Sequence, residues 1–85
     1  MHSKTVFPMA IGRAGDEVRI HAVRADQGQT QRLRELGVLE GRTLRIITNS
    51  DPLICEVGNC RFGVCRRLAR CILVESAKSP LARSA

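Results

Sequence analysis

The chain has 85 residues, a formal net charge of +6 and four cysteines. That length allows one domain with a modest core, and 44% hydrophobic residues favours a folded globule over a disordered chain. With two Phe and no Trp or Tyr the core must be aliphatic, and the aromatic platforms on which single-stranded nucleic acid stacks are lacking. Arginine supplies 12 of the 14 basic residues. Such a surface suits nucleic acid, lipid headgroups or an acidic protein face, and equally a merely solvated exterior. No run reaches the length of a membrane span. Pro8 and its polar neighbours interrupt any secretory apolar region, so a cytoplasmic location with reduced thiols is expected.

In chain order, residues 1–8 read as a flexible N-terminus, 9–76 as the domain and 77–85 as a disordered tail. Phe7 to Gly12 is apolar but interrupted, an irregular lead-in against one edge of the core. Gly12 to Asp16 is a turn. Glu17 to Arg24 alternates: Val18, Ile20 and Ala22 share one face, and Arg19, His21 and Val23 the other. That is the period-two pattern of a half-buried strand.

A helix follows, capped by Asp26 with Gln29 or by Thr30 alone. Leu33 and Leu36 lie three apart and Leu39 joins them, so the three leucines are expected to seal the core. Gln31, Arg32, Arg34 and Glu35 point elsewhere. Gly37 is the expected stop, because glycine takes the left-handed conformation cheaply. Val38 to Gly41 then reads as a type II turn with Gly41 at positive φ.

Arg42 to Thr48 is the next strand and Asn49 to Pro52 a loop. Leu53 to Val57 and Cys60 to Cys65 form a hairpin around Gly58-Asn59. Arg66 to Ala69 is one turn of helix, and Arg70 to Glu75 the last strand. The fold class is mainly β: about five antiparallel strands with one short helix inserted after the first, closed as a small SH3-like or OB-like barrel.

The cysteines at 55, 60, 65 and 71 do not fit the close pairs of zinc sites, since four, four and five residues separate them. In the hairpin register Cys55 and Cys60 fall on the apolar face and read as small core hydrophobes. Cys65 falls on the opposite face. With His21 it is a weak candidate for an adventitious divalent ion such as zinc or iron; no metal site is assigned and no cofactor is required. There is no phosphate-binding loop, no H-x-x-x-H pair and no nucleophile elbow. The carboxylates sit beside turns or at outward positions, so no enzymatic activity is expected.

At Gln31 to Ile46, QRLRELGVLEGRTLRI resembles the FeoA family of ferrous-iron transport proteins A. Leu33, Leu36, Gly37, Leu39 and Gly41 carry the match as a leucine-rich helix, a leucine-glycine stop and a glycine turn. Ala14 to Ile20 resembles the family's first strand, Asp51-Pro52-Leu53 its hairpin entry, and Phe62 to Val74 its strand, basic turn and final strand. The resemblance covers about residues 9 to 76. Glu40 stands where the family usually has Pro, and the loop before Asp51 is short. The resemblance implies a non-enzymatic SH3-like barrel related to the C-terminal domain of DtxR-type iron-dependent repressors. It also implies a partner, the FeoB-type ferrous-iron transporter with its cytoplasmic GTP-binding domain. Gln31, Arg32, Arg34, Glu35, Arg66 and Arg67 are the expected contact residues. A stand-alone metal-sensing domain, a basic nucleic-acid-binding barrel and a homodimer stay open as alternatives.

Overall fold

A computed structural model describes residues 5–77. The strands are β1 (Val6–Pro8), β2 (Glu17–Val23), β3 (Thr43–Thr48), β4 (Leu53–Val57), β5 (Cys60–Val64) and β6 (Ile72–Ser76). Helix α1 (Gln27–Glu35) follows β2, and the single turn α2 (Arg66–Ala69) follows β5. All strands pair antiparallel in one sheet, in the order β1-β6-β2-β3-β4-β5. The mainly β architecture is the expected one, with two corrections. Among the described residues there are six strands rather than about five, and the helix follows the second.

The extra strand comes from the stretch expected to be flexible or irregular. Val6 to Pro8 pairs with Glu75, Val74 and Leu73, so the first and last strands form one ladder. A 3-10 turn, Met9–Ile11, follows and buries Met9 and Ala10. At the far end Ala77 still donates its N–H to the Glu17 carbonyl at 3.0 Å. The first four residues and 78–85 lie outside the described residues.

The core is aliphatic, as the composition requires. Val18, Ile20, Leu44, Ile46, Leu53, Cys55, Val57, Ile72 and Val74 come from the strands, and Met9, Leu33 and Val38 cap them. The period-two reading of β2 holds as far as Ile20. There the register against β6 slips: Ile20 faces Val74 but Ala22 faces Leu73, leaving His21 as the extra residue of a bulge. The slip turns Val23 inward against the core, the reverse of simple alternation. The hairpin register holds throughout, with Val57 facing Cys60, Cys55 facing Phe62 and Leu53 facing Val64. Cys60, on the edge strand β5, is nevertheless exposed, although its cross-strand partner Val57 is buried.

Side chains bridge the two ends of the sheet. Asn49 donates from Nδ2 to the carbonyls of Ala10 and Gly12, while its Oδ1 accepts from the Arg66 guanidinium. The same guanidinium donates to the Ala10 carbonyl at 3.2 Å, and the Arg66 N–H donates to Asp51 Oδ1 at 3.2 Å. The residues just after β1 are thus tied to those just after β5.

Candidate interaction surface

Helix α1 is set by its ends rather than by a broad apolar face. Asp26 caps it, accepting from the Gln29 N–H at 2.8 Å, which satisfies an otherwise unpaired first-turn donor. At the other end the Gly37 N–H reaches the Arg34 carbonyl at 3.0 Å, and the Val38 N–H reaches Leu33 at 2.8 Å. This is a Schellman stop, with Gly37 at φ +100 and Val38 and Leu33 both buried. The following turn is framed one residue later than the spacing suggests. Arg42 donates to the Leu39 carbonyl at 3.1 Å, which places Gly41, at φ +90, at the third position of the turn.

Only Leu33 is buried within α1, at 3% exposure. Leu36 is 37% exposed and Leu39 half-buried, so the expected three-leucine seal is one leucine and a partial second. Leu36 is the C-cap, and its spacing from Leu33 puts it on a shared face that no other element fully covers. It helps line a groove of about 500 Å³ running between α1 and β5. The groove includes Arg32, Leu33, Gly63, Val64 and Leu68. Sequence reasoning missed it; the signal was Leu68, an apolar residue set among arginines in a one-turn helix.

Gln31, Arg32, Arg34 and Glu35 are exposed on α1, and none of their side chains makes a hydrogen bond or ion pair among the described residues. Arg34 also borders a smaller concavity of about 340 Å³ with Thr30, Leu39 and Glu40. Arg67 is exposed on α2, whereas Arg66 is half-buried and tied to Asn49, Ala10 and Asp51. The basic pair therefore divides into one outward charge and one structural fastener.

His21 and Cys65 are not assembled into a metal site. His21 Nδ1 lies 3.8 Å from Glu75 Oε1, a carboxylate that also receives Arg19 at 3.2 Å. Cys65 is exposed at the start of α2, after the edge strand β5. Among the described residues no group of three or more His, Cys, Asp or Glu could hold an ion. Cys55 is fully buried, and burial pushes its thiol up to about 11, which suits an inert core residue.

The fold recurs in solved structures. An iron uptake regulatory protein, FeoA, superposes with a TM-score of 0.78 at 25% identity, over 84% of this chain and 97% of that one. FeoA of Stenotrophomonas maltophilia, a prokaryotic SH3 domain protein solved with zinc, gives 0.69 at 22% identity over 86% and 89%. A manganese-dependent transcriptional repressor gives 0.79 at 15% identity, over 89% of this chain and 44% of that one. The class is therefore a small antiparallel domain of SH3-like fold, shared with a metal-dependent repressor. Sequence narrows it further. The FeoA domain matches residues 8–76. A candidate Fe(2+) transport protein A of Methanocaldococcus jannaschii is 32% identical over 74 residues, 86% of this chain and 90% of that protein. The chain belongs to the FeoA family.

Proposed function

We propose that this protein is a non-enzymatic, cytoplasmic accessory of ferrous-iron uptake that acts by contact with the GTP-binding domain of a FeoB-type transporter. Family membership supports the iron-transport role. The observation that carries the contact reading is the outward side of α1. Gln31, Arg32, Arg34 and Glu35 are exposed and without intramolecular partners among the described residues, so they contribute little to holding the fold. Unpaired arginines of this kind are suited to charge-assisted contacts with carboxylates of another protein.

The test is calorimetry or pull-down of this protein against the transporter's soluble cytoplasmic domain, run without nucleotide, with GDP and with a non-hydrolysable GTP analogue. Binding is expected in at least one state. Arg34→Ala should leave the circular dichroism spectrum unchanged and weaken binding by about five- to tenfold, the usual scale for one interfacial charge. No binding in any nucleotide state would sink the proposal.

A further inference from the structure

Strand β5 ends the sheet, with β4 on one side and, among the described residues, no strand on the other. The two-residue turn Gly58-Asn59 makes Val57 and Cys60 a hydrogen-bonded pair. Antiparallel pairs alternate, so Cys55–Phe62 and Leu53–Val64 exchange hydrogen bonds as well. The residues between, Arg61 and Gly63, must turn their N–H and C=O groups away from β4. Neither backbone has a partner elsewhere among the described residues. The result is a short row of aligned donors and acceptors facing outward, the template for an added strand.

Two further features sit beside that row. The groove between α1 and β5 opens next to Gly63 and is walled by Leu33, Leu36, Val64 and Leu68, with Leu36 still 37% exposed. From Cys60 to Arg70 the chain carries four arginines and no carboxylate. Arg66 is tied into the fold and Arg61 pairs with Glu56 at 3.3 Å. Arg67 and Arg70, with Arg32 on the groove wall, have no ion-pair partner among the described residues.

We propose that the β5 edge takes up an extended, acidic segment of a partner protein as an added antiparallel or parallel strand, with one apolar side chain of that segment seated in the groove beneath α1. Backbone groups of Arg61 and Gly63 supply the hydrogen bonds, the leucines supply the pocket, and Arg32, Arg67 and Arg70 select carboxylates. A second copy of this chain is the poorer occupant. Pairing two β5 edges would bring two arginine-rich segments together on molecules that each carry +6. The proposal rests on the reading that the protein acts by docking to another protein, and it names the edge and the binding mode.

The experiment is amide hydrogen exchange on the full-length protein, residue by residue, alone and with two probes. One probe is a short capped peptide of alternating glutamate and valine; the other is the transporter's soluble cytoplasmic domain. Both should slow exchange at Arg61 and Gly63 by about tenfold or more, while Cys60 and Phe62, already bonded to β4, change little. Arg61→Pro deletes one outward N–H without touching the β4 ladder, as an edge position allows, and should abolish the protection at Gly63. Arg61→Ala, which keeps the N–H, should retain it. Leu36→Glu, at the groove mouth, should repel the acidic peptide and weaken it as well.

Unchanged exchange at both amides with both probes overturns the proposal. Domain binding that protects α1 but not Arg61 and Gly63 overturns it too, while leaving the transporter reading standing. Protection by the peptide with no binding of the domain supports the edge and removes the transporter as its partner. Protection that grows with protein concentration alone would assign the edge to a second copy and refute the acidic occupant.

Discussion

Replacing Asn49 with alanine should unfasten the two ends of the sheet. The Asn49 amide donates to the Ala10 and Gly12 carbonyls and accepts from Arg66. A neutral hydrogen bond contributes about 1 kcal/mol and one to a charged group about 1.5–3 kcal/mol. Asn49 is itself exposed, so water recovers part of each. The expected loss is about 2–3 kcal/mol, set against roughly 4–12 kcal/mol for a domain of this size. In a chain this short that corresponds to a melting point lower by about 10–20 °C. The protein has no Trp or Tyr, so urea unfolding followed by far-ultraviolet circular dichroism is the suitable assay. The midpoint should fall with the slope unchanged. Arg66→Ala should cost a similar amount, and the double variant should fall short of the sum by about 1–2 kcal/mol because the two share a network. A loss below about 0.5 kcal/mol for Asn49→Ala, or strict additivity, would show that the ends are held by the core alone.

Three further predictions concern the leucines of α1 and the cysteines. Leu33→Ala should destabilise by about 2–5 kcal/mol, as truncation of a buried leucine does, whereas Leu36→Asp should fold with a loss near or below about 1 kcal/mol; equal losses in urea unfolding would contradict their different burial. Cys55 titrates near 9 when unfolded and at about 11 when folded, so the unfolded chain releases its proton first. Its contribution is then fully present below pH 9 and is lost as pH rises toward 11, a decline of about 2–3 kcal/mol. A Cys55→Ala variant should lack that alkaline slope. Iodoacetamide at pH 8 should label the exposed Cys60 and Cys65 in the native protein and reach Cys55 only on unfolding.

What was legible in the sequence was local. Asp26 three residues before the Gln29 amide, Gly37 at the stop and Gly58-Asn59 between alternating runs each act within a few residues, and each does what its chemistry dictates. The misreadings needed a partner from elsewhere in the chain. Val23 points inward because β2 slips by one residue against β6 at His21, and nothing in β2 itself marks that slip. Cys60 faces the buried Val57 yet is itself exposed, since alternation fixes a face and not what covers it. Leu36 has helical spacing from Leu33, yet burial depends on whether another element arrives to cover it. The Val6–Pro8 strand exists through pairing with the far end of the chain, so a short apolar run broken by proline gives no hint of it. Arg66 looked like half of a surface pair; its acceptors lie 17 and 56 residues away. Among the expected contact residues, the four on α1 needed only the helix period to be placed outward.

The way the two ends of the sheet are fastened also bears on its open edge. Arg66 and Asn49 tie the segment after β5 to the segment after β1. The tie grips β5 beyond Val64 and leaves the outward backbone groups of Arg61 and Gly63, nearer the hairpin tip, without a hydrogen-bond partner among the described residues. A ladder joining the outer strands would have paired those groups and removed the edge. Fastener and edge are then separate devices. The Asn49→Ala protein, though less stable, should bind the transporter's domain with a dissociation constant within about threefold of the parent. Ligand linkage follows: at a hundredfold excess over that constant, the partner adds about 2.7 kcal/mol to the folded state. That is enough to restore the melting point lost with Asn49. Isothermal titration below the variant's transition, followed by a melt of the saturated complex, tests both statements. If the variant stays folded yet binds more than about tenfold more weakly, a gap of about 1.4 kcal/mol, the Asn49–Arg66 tie positions β5 for its partner and the two devices are one.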